Sequence, residues 1–274
     1  MLNNNFLVIG FFDGIHQGHL QLFKTAVNDF SILTLKNLPN KNHDFLYPFN
    51  ERVKQLQNTN AHKIYWLDIQ KHNMSGEEFV FNVLDKLAIK GVIVGEDFKF
   101  GNDHCGIDLL KKHYPSSIFL KRTLDASRTI RENIRLGNLK KANQELVYPY
   151  YRTGMVIKGQ QQGHWLGFPT ANLTVDKTLV PMALGSYSTT ISFDNQMYHS
   201  VSFVGKSKTM DQKNYSIETH AINFTGSLYG KTIKVVFHQY LRTPSKFESV
   251  LELKNAIKKD IEKTKEWFNN ETKR

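Results

Sequence analysis

The spacing of apolar residues changes once along the chain, near residue 150, and this change constrains the fold more than any other feature. Up to that point short apolar runs alternate with stretches of helical period. Phe6–Ile9, Ser31–Leu35, Ile64–Leu67 and Val92–Val94 read as strands, and Glu51–Gln57 reads as one of the helices between them. Strands separated by helices imply a parallel sheet with helices on its faces. From Tyr151 onward the period becomes two, in Met155–Ile157, Tyr187–Phe193, Ser200–Val204, Tyr215–Phe224 and Ile233–Tyr240. Short alternating runs with turns roughly every ten residues predict a small β-barrel.

The chain has 274 residues, enough for two domains at roughly 100–200 residues each. The boundary is expected around Tyr148-Pro149, giving an α/β domain over 1–148 and a β-barrel domain over 149–274 that one helix closes. Two capping boxes punctuate the pattern. Ser75-Gly76-Glu77-Glu78 opens a helix that Gly91 is expected to stop. Ser245-Lys246-Phe247-Glu248 is expected to open the last helix, with Phe247, Val250, Leu251, Ile257 and Ile261 on one face.

Composition narrows the function classes. Cys105 is the one cysteine, so an intrachain disulfide and a Cys-rich zinc site are excluded, and a reducing cytoplasm is the expected location. The first residues lack a basic leader, and Phe6–Phe12 is far shorter than the ~20 residues of a membrane span, so no targeting or membrane segment is expected. Lys and Arg total 36 against 25 Asp and Glu, a formal charge of +11. Basic charge favours polyanions in general. Here it is scattered, with no RNA-recognition motif or aromatic-interleaved basic stripe, so a nucleic-acid partner is not expected.

Five motifs carry candidate chemistry. Gly10-Phe11-Phe12-Asp13-Gly14-Ile15-His16-Gln17-Gly18-His19 follows a buried strand and opens a helix, where free amides and closely approaching glycines favour phosphate. His16 and His19 can face one anion and donate to a phosphoryl group as charge develops. Gly95-Glu96-Asp97-Phe98-Lys99-Phe100-Gly101 ends another strand; Phe98 and Phe100 can stack on a planar ring, and Asp97 can accept from a ribose or ring N–H. In Ala126-Ser127-Arg128-Thr129-Ile130-Arg131, Ser127 is a candidate N-cap with Gly137 as the C′ residue, and Arg128 and Arg131 stand beside the helix start. Gly159 and Gly163 bound a loop able to fold over phosphates ahead of Gly167-Phe168-Pro169-Thr170-Ala171-Asn172. Thr170 and Asn172 are two apart, so on an extended segment they face one way, and their oxygens are hard ligands suited to Mg²⁺. Glu218 lies on a strand in Ser216–Phe224, where a carboxylate at a cleft can take a proton from a hydroxyl. Read alone, each motif also has a plain structural explanation: surface histidines at a turn, a strand corner, a capped helix, a glycine turn, an exposed strand glutamate.

Together these motifs resemble the prokaryotic bifunctional riboflavin kinase/FAD synthetase family, whose first domain belongs to the nucleotidyltransferase superfamily. The resemblance runs from about residue 6 to 268. It implies an α/β nucleotidyltransferase domain with a Rossmann-like parallel sheet, then a riboflavin kinase β-barrel with a C-terminal helix. It implies ATP, riboflavin and FMN as substrates, FAD as product and Mg²⁺ as cofactor. Carried over residue by residue, Gly10, Phe11, Asp13, Gly18, Gly95, Asp97, Phe98, Phe100, Gly101, Ser127, Arg131, Gly159 and Gly163 would bind nucleotide, and His16 and His19 would be catalytic. Thr170 and Asn172 would hold the metal. Glu218 would be the base for the ribityl 5′-hydroxyl, and Arg242 and Phe247 would contact flavin. The chain departs from the family at Ala126, Arg128, Gln162, His164, Lys208 and Asn223, and at Leu35–Pro39 where the family tends to have Phe-x-Pro-His-Pro. The departures in the barrel motivate an alternative, a single FMN adenylyltransferase activity beside a flavin-binding barrel.

Overall fold

A computed structural model describes residues 5–26, 30–38, 44–121, 126–159, 162–206 and 215–272. The chain divides into two compact units, residues 1–128 and 129–274.

The first unit is built on five parallel strands. These are β1 (Phe6–Gly10), β2 (Phe30–Leu35), β3 (Ile64–Leu67), β4 (Gly91–Gly95) and β5 (Ile118–Leu120), in the spatial order β3-β2-β1-β4-β5. Leu7, Val8, Ile32, Val92, Ile93 and Val94 are buried, as near-continuous apolar runs must be when helices cover both faces of a sheet. The helices include α1 (Gln17–Thr25), α2 (Phe49–Gln57), α3 (Gly76–Phe79) and α4 (Ile107–His113). The chain winds outward from β1 through β2 to β3, then crosses back to β4. That reversal leaves a crevice beyond the carboxyl ends of β1 and β4, where open α/β sheets bind ligands.

The Ser75 capping box forms: the Ser75 hydroxyl accepts from the Glu78 amide at 3.2 Å, and the Glu78 carboxylate accepts from the Ser75 amide at 2.7 Å. The helix it opens does not reach Gly91. It widens into a π-helical turn (Val80–Leu84), tightens into a 3₁₀ turn (Asp85–Leu87), and ends at Ala88 in the left-handed region at φ +49°. Gly91 begins β4 instead, where a β-carbon would press within 3.0 Å of the Ser116–Ser117 backbone.

α5 (Ala126–Arg135) crosses the division between the units, and α6 (Leu139–Glu145) follows it. Gly137, at φ +75°, ends α5 as expected. The Asn138 amide donates to Asn133 O at 2.8 Å and the Gly137 amide to Ile134 O at 3.2 Å, the paired bonds of a Schellman turn.

The second unit is a closed antiparallel barrel. Its strands are β6 (Tyr151–Ile157), β7 (Ala171–Leu173), β8 (Gly185–Phe193), β9 (Gln196–Lys206), β10 (Tyr215–Ala221) and β11 (Thr232–Arg242), in the order β10-β7-β6-β11-β8-β9, with β9 pairing β10. α7 (Gln162–Trp165) sits in the β6–β7 connection and α8 (Val250–Glu271) closes the chain. Alternation sends Tyr187, Thr189 and Ile191 of β8 and Ile217, Thr219 and Ala221 of β10 into the barrel. The buried hydroxyls there bond in series. Thr219 lies 2.8 Å from Ser202, Ser202 lies 2.8 Å from Thr189, and Thr189 donates to Ser200 O at 3.0 Å.

α8 departs from its expected start. Its N-cap is Ser249, whose hydroxyl accepts from the Glu252 amide at 3.2 Å, while Ser245 stands outside the helix. Val250 and Leu251 are exposed, at 69% and 66%. The inward stripe is set one turn later, through Ala256, Asp260, Thr264 and Phe268, with the Thr264 and Ser188 hydroxyls 2.9 Å apart. Among the described residues no helix is long and apolar enough to cross a membrane.

Candidate active sites

The strand β1 delivers Gly10–His19 to the sheet crevice. A β-carbon at Gly10 would lie 2.8 Å from the Phe12 ring, and Phe12 itself turns the chain at φ +50°. His16 precedes α1 and is buried at 8% exposure; His19 lies one turn on. Their rings stack at 3.6 Å and 19°. His19 Nδ1 lies 3.1 Å from Gly14 O and 3.5 Å from the His16 amide, so the ring is held against the glycine turn through Nδ1. A β-carbon at Gly18 would come within 3.2 Å of the His16 ring, so glycine lets that imidazole lie flat on the helix start. His16 Nε2 lies 3.2 Å from Ser127 Oγ. The structure thus joins the first and third motifs across 111 residues of chain. Ser127 is the second residue of α5 rather than its N-cap, and its hydroxyl meets the histidine. Arg131 follows four residues later, on the same face of α5.

Asp13 is placed differently from the other motif residues. It is buried, and its Oδ1 accepts from the Leu46 and Tyr47 amides at 2.8 and 3.2 Å, which ties the 44–48 segment to the glycine turn. Sequence reasoning missed Arg52, which is buried beside it. Arg52 donates to Phe11 O at 2.5 Å, to Leu35 O at 3.1 Å and to Lys36 O at 2.8 Å, and lies 3.9 Å over the Phe11 ring. One guanidinium thereby clamps the ends of β1 and β2. Burial lowers its pKa to about 10, with the Asp13 charge acting against that shift. No spacing in the sequence marks Arg52, because its partners lie 16 to 41 residues away.

The Gly95–Gly101 loop leaves β4 next to β1. Phe98 and Phe100 stack at 5.7 Å and 16°, and Asp97 is exposed. Gly95 leaves room for the Asp97 carboxylate, which a β-carbon would meet at 2.8 Å; Gly101 turns at φ +74°. A cavity of about 710 Å³ opens between this loop and the ends of β1, β2 and β3. Phe11, Leu35, Leu67, Phe98 and Phe100 form its apolar walls, with His72 and Lys99 also lining it.

In the barrel, β7 is the short strand that sequence periodicity did not show, and it organises the second site. The register pairs Asn172 with Glu218, so the expected metal ligand and the expected base are direct cross-strand neighbours. The β6–β7 connection lies against them. A β-carbon at Gly159 would collide with the Asn172 amide, and one at Gly163 would meet Phe168 O and lie 3.2 Å from Thr170 Oγ1. The Phe168 amide donates to Gly163 O at 2.8 Å. His220 shares the Glu218 face of β10 and contacts Pro169 O through Nδ1 at 2.9 Å. A cavity of about 390 Å³, lined by Thr170, Thr219, Phe224, Leu228 and Tyr229 among others, opens beside this group.

Arg242 and Phe247 also meet, with the guanidinium 5.6 Å from the ring. Arg242 Nε lies 3.0 Å from Asp260 Oδ2 of α8, and a second nitrogen lies 2.9 Å from the same oxygen. Sequence reasoning missed Asp260, which reads there as one more solvated helix charge. Asn223 adopts φ +61°, a left-handed turn that asparagine tolerates, and lines a separate hollow with Lys265. Lys208 and the side chains of Gln162 and His164 lie outside the described residues.

Comparison with known proteins finds one family in each half of the chain. The FAD synthetase family profile matches residues 1–123, and the riboflavin kinase profile matches residues 146–268. A bifunctional riboflavin kinase/FMN adenylyltransferase of Mycoplasma pneumoniae is 36% identical over 269 residues, spanning 97% of this chain and 98% of that protein. The chain belongs to the bifunctional riboflavin kinase/FMN adenylyltransferase family. A Mycoplasmoides gallisepticum protein named trifunctional protein RibF/MnmA is 37% identical; the matched region is 97% of this chain and 40% of that longer protein. A Streptococcus pneumoniae crystal structure, described as a macrolide-efflux protein, superposes with a TM-score of 0.86 over 96% of this chain at 28% identity. The riboflavin kinase and FAD synthetase domains imply two activities, phosphorylation of riboflavin and adenylylation of FMN.

Proposed function

We propose that the adenylyl transfer belongs to residues 1–148 and the phosphoryl transfer to 149–274, with the roles expected from the motifs. In the first domain a phosphate oxygen of FMN attacks the α-phosphorus of ATP, the α–β bridge bond breaks, and pyrophosphate leaves. No protein nucleophile is needed. Phe11, Phe98 and Phe100, expected from the motifs to bind nucleotide, wall a cavity whose volume and apolar lining suit a planar aromatic ring of a bound nucleotide. His19, held through Nδ1 against the glycine turn, donates to the α-phosphate through Nε2, and His16 and Ser127 act as a linked pair. Gly10, Gly18, Gly95, Asp97, Gly101 and Arg131 complete the nucleotide contacts, while Asp13 acts through the loop it holds.

In the second domain Glu218 takes the proton of the riboflavin 5′-hydroxyl as its oxygen attacks the γ-phosphorus of ATP and ADP leaves. Gly159 and Gly163 bring backbone amides over the phosphates. Arg242, set by Asp260, and Phe247 bind flavin. Thr170 and Asn172 offer two neutral oxygens, and among the described residues no cluster of acidic, histidine or cysteine side chains holds a metal alone. That donor set fits Mg²⁺ completed by nucleotide phosphates, which when bound neutralises charge on the transferring group. The partners are small molecules, and the cytoplasm is the proposed compartment.

The observation that carries this reading is that motif residues far apart in sequence meet: His16 with Ser127, and Asn172 with Glu218. The test supplies riboflavin and FMN separately with ATP and Mg²⁺ and separates products by chromatography. The parent protein makes FMN from the first and FAD from the second. His19→Ala loses FAD and keeps FMN; FAD at the parent rate would remove His19 from the mechanism. A parent protein that converts FMN but never riboflavin would establish the single-activity alternative.

A further inference from the structure

We infer that His220 is a positioning residue for the phosphoryl transfer, holding the Pro169-Thr170 segment against β10 through its Nδ1–H. The inference rests on the kinase site proposed above and adds a residue that none of its motifs assigns.

β7 begins at Ala171, so Phe168, Pro169 and Thr170 lie before the ladder. Proline has no N–H to give, and its carbonyl needs a donor from elsewhere. The Phe168 amide bonds to Gly163 O on one side. On the other, His220 Nδ1 lies 2.9 Å from Pro169 O. A carbonyl only accepts, so Nδ1 carries the proton. The same imidazole meets the Phe168 ring edge-on at 5.6 Å and 87°. One side chain thus grips both residues ahead of Thr170.

The placement matters because of period two. Glu218 and His220 share one face of β10, and Glu218 faces Asn172 across the ladder. The anchor for the Thr170 oxygen and the proposed base therefore sit on one rigid strand. A lost anchor moves Thr170 relative to Glu218, and displacement of a positioning group by about 1 Å can cost roughly a hundredfold in rate. Burial lowers the His220 pKa, opposed by the Pro169 bond. The Nδ1 contact occupies the side of the ring that faces the Pro169-Thr170 segment.

The test uses the full chain and reads both reactions. His220→Ala removes the donor. His220→Asn puts an amide N–H where Nδ1 stands and removes Nε2. We expect His220→Ala to lower kcat/KM for ATP in FMN formation by about 10- to 100-fold, with KM for ATP raised and KM for riboflavin within about twofold. His220→Asn should recover to within about threefold of the parent. FAD formation from FMN is unchanged in both, and a barrel transition at the parent midpoint in a urea titration certifies folded protein. Parent-like FMN formation by His220→Ala overturns the inference. So does a folded His220→Asn as poor as His220→Ala, because the ring itself would then touch substrate. A Glu218→Gln variant, run alongside, tests the underlying site: if it makes FMN at the parent rate, the kinase reading fails whatever the histidine variants do.

Discussion

Arg52 is 2% exposed, and its guanidinium spends its donors on the carbonyls of Phe11, Leu35 and Lys36. Such a group cannot be removed quietly, because three strand-end carbonyls and the buried Asp13 lose their counterpart together. Arg52→Met should destabilise the first unit by about 3–5 kcal/mol in a urea titration, the range for breaking a buried charge network. FAD formation should fall with it while FMN formation persists. His238 makes a second prediction at this scale. It lies against Trp267 and Phe268 of α8, with Nε2 3.1 Å from Thr190 Oγ1, and its pKa is lowered to about 4 by burial and by His199. The unfolded chain binds a proton here below about pH 6.5, and the folded chain resists it until about pH 4. Stability from this group is therefore full above pH 6.5 and is lost as pH falls through that window, by up to about 3 kcal/mol. Thermal melts from pH 7 to 4 should show a steeper fall for the parent than for His238→Leu.

At the level of elements, α8 shows how far local pattern reaches. The Ser245–Glu248 signature is followed directly by Ser249 and Glu252, a second one of the same form that the sequence reading passed over. Local chemistry ranks them equally. Docking decides between them, since the stripe carrying Asp260, Thr264 and Phe268 must face β8, β9 and β11. Ser249→Ala should therefore cost about 1 kcal/mol in a urea titration, and Ser245→Ala close to nothing. The β6–β7 connection gives another expectation. Gly159→Ala sets a methyl into the Asn172 amide, and either the loop or Asn172 must move. FMN formation should drop at least about tenfold, with KM for ATP raised, while FAD formation from FMN continues. β7 itself escaped the sequence reading because a strand of three residues has too few positions to show a period.

For the whole molecule, two compact units and two matched family profiles predict that the reactions separate cleanly by mutation. Glu218→Gln should lose FMN formation and keep FAD formation from FMN, and His19→Ala should do the reverse. Mixed in one tube with riboflavin, ATP and Mg²⁺, the two variants should make FAD again, after a lag while free FMN accumulates. Absence of FAD from the mixture would overturn the clean separation of the two reactions.

The amino-acid order by itself determined what depends on near neighbours. The change of period near residue 150 divided parallel sheet from barrel, and the Ser75 box and the Gly137 turn formed where hydroxyl, carboxylate and glycine spacing required. Glycine-bounded loops at strand ends announced both sites. Tertiary structure alone decided which distant groups became partners. His16 found Ser127, Asn172 found Glu218, Arg242 found Asp260, and Arg52 found the ends of β1 and β2. Those pairings depend on sheet order, barrel register and burial. A hydrogen bond or ion pair gains its worth only when folding has removed water and fixed both ends, and residue spacing carries no record of that.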